Sequence, residues 1–329
     1  MSTIKYYIIN GDMRFTPFGN PNDADNFMNY SNWANYLKNH SIVETKNEQE
    51  ADFYITQRFP IKTKSDLYLW RLKHRYIPVL VWTHEPRYCN ISTSFFPKRI
   101  YKPEIHVMDV FTDDVYLTPF SWFGSEIKGI LQYADNNHFE TRKRKICVLG
   151  TYRPNFEYFI NGVNIDLSEL RQKIALFGYS KNMVDICGRF WPQHVETIKT
   201  DRCAPDWHQT KMDFIKQYLF NLCIENTNYK YYITEKIWDS ITAGCLPIYY
   251  GTSYIYELFS KNSFIDINNY NSFESLFNYI KSINKDDYLE RLNKCIETYN
   301  HIYQTIDIKQ QVYNAIDKVI ERIHSIVKK

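Results

Sequence analysis

"FNLCIENTNYKYYITEKIWDSITAGCLPIYYG" occupies residues 220–251, and its reading decides the fold. FNLCI is a short, nearly solid apolar run, the pattern of a strand buried on both faces. It runs into the polar pair Glu225-Asn226. Thr234 then stands where a helix N-cap belongs, with Glu235 and Lys236 in the first turn and Ile237, Trp238 and Ile241 on one apolar face. A glycine turn at Gly244 leads back into a strand, LPIYYG. Strand, helix and strand at this spacing make one unit of a parallel sheet.

Lys236 is the puzzling residue. A helix dipole favours anions at the N-terminus, so a cation in the first turn is disfavoured there. One reading is an ordinary capped helix with a solvated lysine. The other docks an anionic phosphate at the helix N-terminus, with Lys236 as its partner and Glu235 accepting hydrogen bonds from sugar hydroxyls.

The same alternation extends in both directions. Upstream, strands are expected at 183–188 and from Ile146, with helices at 167–177 and 211–218. Nearer the N-terminus, KYYIIN (5–10), ADFYIT (51–56) and IPVLVWT (77–83) read as strands, and 26–40 and 65–75 as helices. Near-continuous apolar strands alternating with helices predict two doubly wound α/β lobes. The charge run TRKRK (141–145) sets the expected boundary, giving lobes of 1–141 and 142–329. Ile308, Val312, Ile316, Val319, Ile323 and Val327 recur at helical steps and predict an amphipathic closing helix packed on the core. In such sheets ligands bind at the carboxyl ends of the strands, so a cleft between the lobes is the expected site.

Bulk properties narrow the function classes. The chain has 329 residues, is 44% hydrophobic and 23% charged, and carries a net charge of only +3, which argues against a nucleic-acid surface. Its N-terminus has no signal-peptide pattern and no stretch is long and apolar enough to span a bilayer, so a soluble cytoplasmic protein is expected. The wealth of Tyr, Phe, Asn, Ile and Lys suggests an AT-rich source, a bacterium or a large DNA virus. Seven scattered cysteines without paired spacing predict buried free thiols and neither a zinc site nor a disulfide framework. Asp113-Asp114 with Asp109 nearby lacks the alternate spacing of a metal-binding pair, and a solvated turn is the simpler reading. Trp33, Trp70, Trp82 and Trp122 are read as core rather than as sugar-stacking platforms.

The opening stretch resembles the α1,3/4-fucosyltransferases. Their pattern runs F-x-L-x-F-E-N, a short loop, Y-[VI]-T-E-K-x-W, then A-G-x-x-P-[VI]-x-x-G. Every anchor is present except the second Phe, here Ile224, and the basic residue of a preceding Y-K-F, here Leu219. Looser likenesses cover IINGDMRF (8–15), VLVWTHEPRY (79–88), HVMDVFTDDVYLTPF (106–120), and SELRQKIALF with VDICGR (168–189).

The resemblance implies a GT-B fold of two facing Rossmann-like lobes, the N-terminal one binding the acceptor and the C-terminal one GDP-fucose. It implies inverting transfer of L-fucose to a glycan hydroxyl, most plausibly O3 of N-acetylglucosamine. By the same resemblance Glu85 is the general base, Arg171 and Lys236 hold the pyrophosphate, and Asn226, Tyr232 and Glu235 contact the nucleotide sugar. No resident metal or cofactor is implied, a divalent ion being at most stimulatory, and the oligomeric state stays open. Two alternatives remain: a GT-B transferase using another nucleotide sugar or linkage, and a glycan-binding protein that has lost turnover.

Overall fold

The computed structural model describes residues 3–10, 18, 33–56, 77–83, 85–86, 105–109, 111, 129–198 and 206–327. The chain divides into two compact units, Met1–Ile127 with Asp307–Lys329, and Lys128–Ile306.

The first unit carries a five-stranded sheet of β1 (Ile4–Asn10), β2 (Ile42–Glu44), β3 (Phe53–Thr56), β4 (Val79–Thr83) and β5 (Ile105–Asp109), in the order β2-β1-β3-β4-β5. Every pairing in it is parallel. All of β3 and β4 is buried, as their unbroken apolar sequences require of central parallel strands. Helix α1 (Trp33–Asn39) precedes β2. The predicted helix at 65–75 lies outside the described residues.

The second unit follows α2 (Asn136–Glu140) with β6 (Lys143–Leu149), the β7 (Phe159–Ile160) and β8 (Val163–Asn164) hairpin, and α3 (Ser168–Ser180). Then come β9 (Val184–Cys187), β10 (Thr197–Ile198), α4 (Trp207–Ile215), β11 (Tyr218–Leu222), α5 (Glu235–Thr242) and β12 (Leu246–Tyr249). The series continues with α6 (Ile255–Leu258), β13 (Ile265–Asp266), α7 (Phe273–Ser282) and α8 (Lys285–Thr305). Its six-stranded sheet has the order β10-β9-β6-β11-β12-β13, again parallel throughout. β11 sits between β6 and β12 and is buried at all five positions, which is why FNLCI reads as solidly apolar.

The expected boundary at 141/142 moves to 127/128. TRKRK instead leads into the second sheet: Lys143, Arg144 and Lys145 open β6, the first two exposed and Lys145 half-buried. The segment before it is tied down by α8. The Leu131 and Ala134 amides donate to the side-chain oxygens of Asn300 (2.8 Å) and Asn293 (2.7 Å). The closing helix, α9 (Ile308–Val327), forms as predicted but belongs to the first unit. Its Asp317 accepts from the Tyr36 hydroxyl of α1 at 2.7 Å, and Tyr313 packs edge-on against the same ring.

Cys147, Cys187, Cys223, Cys245 and Cys295 are buried free thiols. Asp109 is buried and accepts from the Phe111 amide at 2.8 Å, so it closes a turn. Trp82 is core. Among the described residues no helix is long and apolar enough to cross a membrane, and no cluster of His, Cys, Asp and Glu could hold a metal ion.

Candidate functional site

The site forms where β6, β9 and β11 end and α5 begins. Asn221, in the middle of β11, is a buried polar residue whose amide donates to the Ser240 hydroxyl at 2.6 Å, while its carbonyl oxygen accepts from the Cys147 thiol. Ser240 donates in turn to the Lys236 carbonyl at 2.9 Å. This chain of bonds locks α5 to the strand in one register, because any slip would strand a buried amide.

Beyond the strand, Glu225 is completely buried and organises the start of α5. Its carboxylate accepts from the Thr234 amide (2.7 Å), the Thr234 hydroxyl (2.6 Å), the Lys236 ammonium (3.1 Å) and the Tyr249 hydroxyl (3.4 Å). Thr234 does occupy the N-cap, but its side chain turns back to Glu225 and leaves the helix amides uncapped by it. Lys236 also donates to the Thr234 hydroxyl (2.6 Å) and to Glu235 (3.4 Å). The two carboxylates explain how a lysine is tolerated at this helix end.

The electrostatics follow from burial and pairing. Burial pushes the Glu225 carboxyl above its ordinary range, with Lys236 opposing. Burial would raise Glu235 too, but Lys236 and Lys211 outweigh it and hold that carboxyl down at about 2. Lys236 shifts the other way. Burial lowers it, yet Glu225 and Glu235 more than compensate and its pKa rises, so it is a cation across the physiological range.

Arg171, on the first turn of α3, donates to the Ile224 carbonyl (2.9 Å) and to the Asn226 side-chain oxygen (3.0 Å). Asn226 thereby fixes the guanidinium beside the strand end. Burial lowers the Arg171 pKa, with Glu225 and Asp166 opposing, and an arginine remains charged.

These groups share a cleft of about 360 Å³, within the range of small-molecule sites and lying wholly in the second unit. Arg171, Asn226, Glu235 and Lys236 all line it, as do Arg153, Arg189 and Lys211. Lys211, on α4, pairs with Asp239 of α5. Five cations against Glu235 and Asp239 leave the lining net positive, suited to an anionic ligand. Its apolar lining includes Leu149, Phe190, Trp207 and Ile215.

Tyr232 is only 2% exposed and is not among the residues that line the cleft. Glu85 lies in the first unit, half-buried just past β4, and its amide donates to the Thr83 hydroxyl at 3.0 Å. Sequence reasoning missed the roles of Glu225, Arg153, Arg189 and Lys211. Glu225 did carry a signal, a carboxylate ending a solid apolar strand; the other three are ordinary surface-type residues until the sheet gathers them.

Known proteins match on the same elements. The family described as glycosyltransferase family 10 (fucosyltransferase), C-terminal part, matches residues 171–319. That segment contains Arg171, Asn226, Tyr232, Glu235 and Lys236. Residues 171–319 are thus similar to the C-terminal part of glycosyltransferase family 10. Among its relatives, the α-(1,3)-fucosyltransferase FucT of Helicobacter pylori is 35% identical over 110 residues, covering 33% of this chain and 22% of that protein. The α-(1,4)-fucosyltransferase of Arabidopsis thaliana is 28% identical over 110 residues, covering 33% and 27%. The chain thus matches about a quarter of the length of these curated relatives. A crystal structure of an α1,3-fucosyltransferase with GDP-fucose aligns with 97% of this chain and 91% of its own, at TM-score 0.51 and 17% identity. That likeness shows the fold, a GT-B architecture with Rossmann-like parallel sheets, as the sequence predicted.

Proposed function

We propose that this protein is an inverting fucosyltransferase that moves L-fucose from GDP-fucose to a hydroxyl of a glycan, with O3 of N-acetylglucosamine as the favoured acceptor position. The observation that carries the reading is the convergence of Arg171 and Lys236 on one basic cleft at the carboxyl ends of a parallel sheet. A nucleoside diphosphate needs that arrangement: fixed cations and helix-terminal amides facing a diphosphate.

The chemistry then follows from where charge develops. Departure of GDP builds negative charge on the β-phosphate and positive charge on the fucosyl ring. Arg171 and Lys236, already oriented by Asn226, Ile224 and Glu225, meet the phosphate charge without having to reorganise. Glu235 is held ionised by its lysine neighbours and suits hydrogen bonds from sugar hydroxyls. The acceptor hydroxyl must lose a proton as it attacks the anomeric carbon from the face opposite GDP, and Glu85 is the proposed general base.

The test is transfer itself. Incubation with GDP-fucose and N-acetylglucosamine-containing oligosaccharides should yield a product heavier by one deoxyhexose, its linkage read by NMR. Glu85→Gln should keep GDP-fucose binding while turnover drops about 10²–10⁴-fold. Addition of a hexose or N-acetylhexosamine instead would replace the donor, and full turnover in Glu85→Gln would move the base elsewhere.

A further inference from the structure

The lining of the cleft contains an apolar side chain that folding alone does not explain. Phe190 stands three residues past the end of β9, lines the cleft, and is 79% exposed. Its backbone holds φ +66°, a left-handed conformation that a bulky residue adopts only under constraint. The constraint is visible on both sides. Gly188, at φ +144°, lets the end of β9 pass so close to Gly150 at the end of β6 that a Cβ would run into the Gly150 carbonyl. Within this close approach the Tyr152 amide donates to the Arg189 carbonyl (3.0 Å) and the Trp191 indole donates to the Gly150 carbonyl (2.9 Å). The Tyr152 and Trp191 rings pack at 5.3 Å and complete the clamp. Arg189 and Trp191 are thus both anchored, and Phe190 between them is held out over the cleft.

We propose that Phe190 is a binding residue, the platform on which the base of the nucleoside diphosphate stacks; this rests on the diphosphate reading of the Arg171–Lys236 end. The geometry of the sheet supports the assignment. β9 and β11 are separated only by β6, so their ends lie about 10 Å apart. A ribose bridges such a gap between a diphosphate at the end of β11 and a base at the end of β9. Apolar side chains of α4, Trp207 and Ile215, also line the cleft. A planar heteroaromatic base gains most from an aromatic face there.

The experiment is calorimetric titration of the full chain with GDP and, separately, with inorganic pyrophosphate. Phe190→Ala should weaken GDP by about tenfold or more and leave pyrophosphate binding unchanged. Phe190→Trp should retain GDP affinity. Phe190→Gly should weaken GDP as Ala does yet melt at a higher temperature than the wild type, because glycine relieves the left-handed strain. Wild-type GDP affinity in Phe190→Ala would overturn the platform and leave the diphosphate site standing. Equal loss of GDP and pyrophosphate would also overturn it, since the residue would then act on the shape of the whole cleft. A wild-type chain that binds neither probe would overturn the diphosphate reading and the platform with it.

Discussion

At the scale of single residues, Glu225 and Glu235 are two carboxylates around one lysine with opposite titration behaviour. Glu235 is held near 2, so its contribution to stability is present above the unfolded carboxyl range and disappears as pH falls toward 2. Glu225 is raised by burial, so the folded state binds its proton more readily and acidification through its range favours folding. Replacing Glu235 by Gln should therefore flatten the loss of stability between about pH 4.5 and 2, while Glu225→Gln should remove an opposing contribution at higher pH. Denaturant titrations at several pH values read both effects, and slopes of the same sign in the two variants would contradict the assignment. Glu225→Ala goes further, leaving Lys236 and the Thr234 groups without their buried acceptor. A cost of about 3–5 kcal/mol is expected, measured by urea unfolding at neutral pH. A cost below about 1 kcal/mol would mean that Glu225 does not organise the helix start.

At the scale of elements, β11, α5 and β12 act as one unit because Asn221 and Ser240 join strand to helix. Ser240→Ala leaves a buried amide donor unpaired and should cost about 1–3 kcal/mol, read as a shift in the unfolding midpoint. No shift would break the proposed link. This was also the most legible part of the chain. Solid apolar strands and helical spacing around Thr234 and Trp238 act locally, so the sequence alone places these elements to within a few residues. What the sequence leaves open depends on tertiary neighbours. Nothing in TRKRK shows that β11 pairs with Lys143, and nothing around Tyr232 shows that its side chain is buried. The small β7–β8 hairpin and the edge strands β10 and β13 are two residues long in each strand, too short for a period to declare itself.

At the scale of the whole molecule, the chain returns to its first unit after completing the second, since α9 joins α1 through Tyr36, Tyr313 and Asp317. A chain ending at Ile306 should therefore lose stability in the first unit and leave the melting of the second nearly unchanged, as scanning calorimetry would show. Equal destabilisation of both units would contradict this division. The basic cleft, by contrast, lies wholly within the second unit, so the proposed nucleotide binding should be a property of that unit's cations. The most direct test is calorimetric titration of GDP into the wild-type chain and into Lys236→Ala. The wild type should bind GDP, and the variant should bind it about ten- to a hundredfold more weakly, the loss expected for a charge-assisted contact. GDP affinity unchanged in Lys236→Ala would contradict the assignment of this cleft as the diphosphate site.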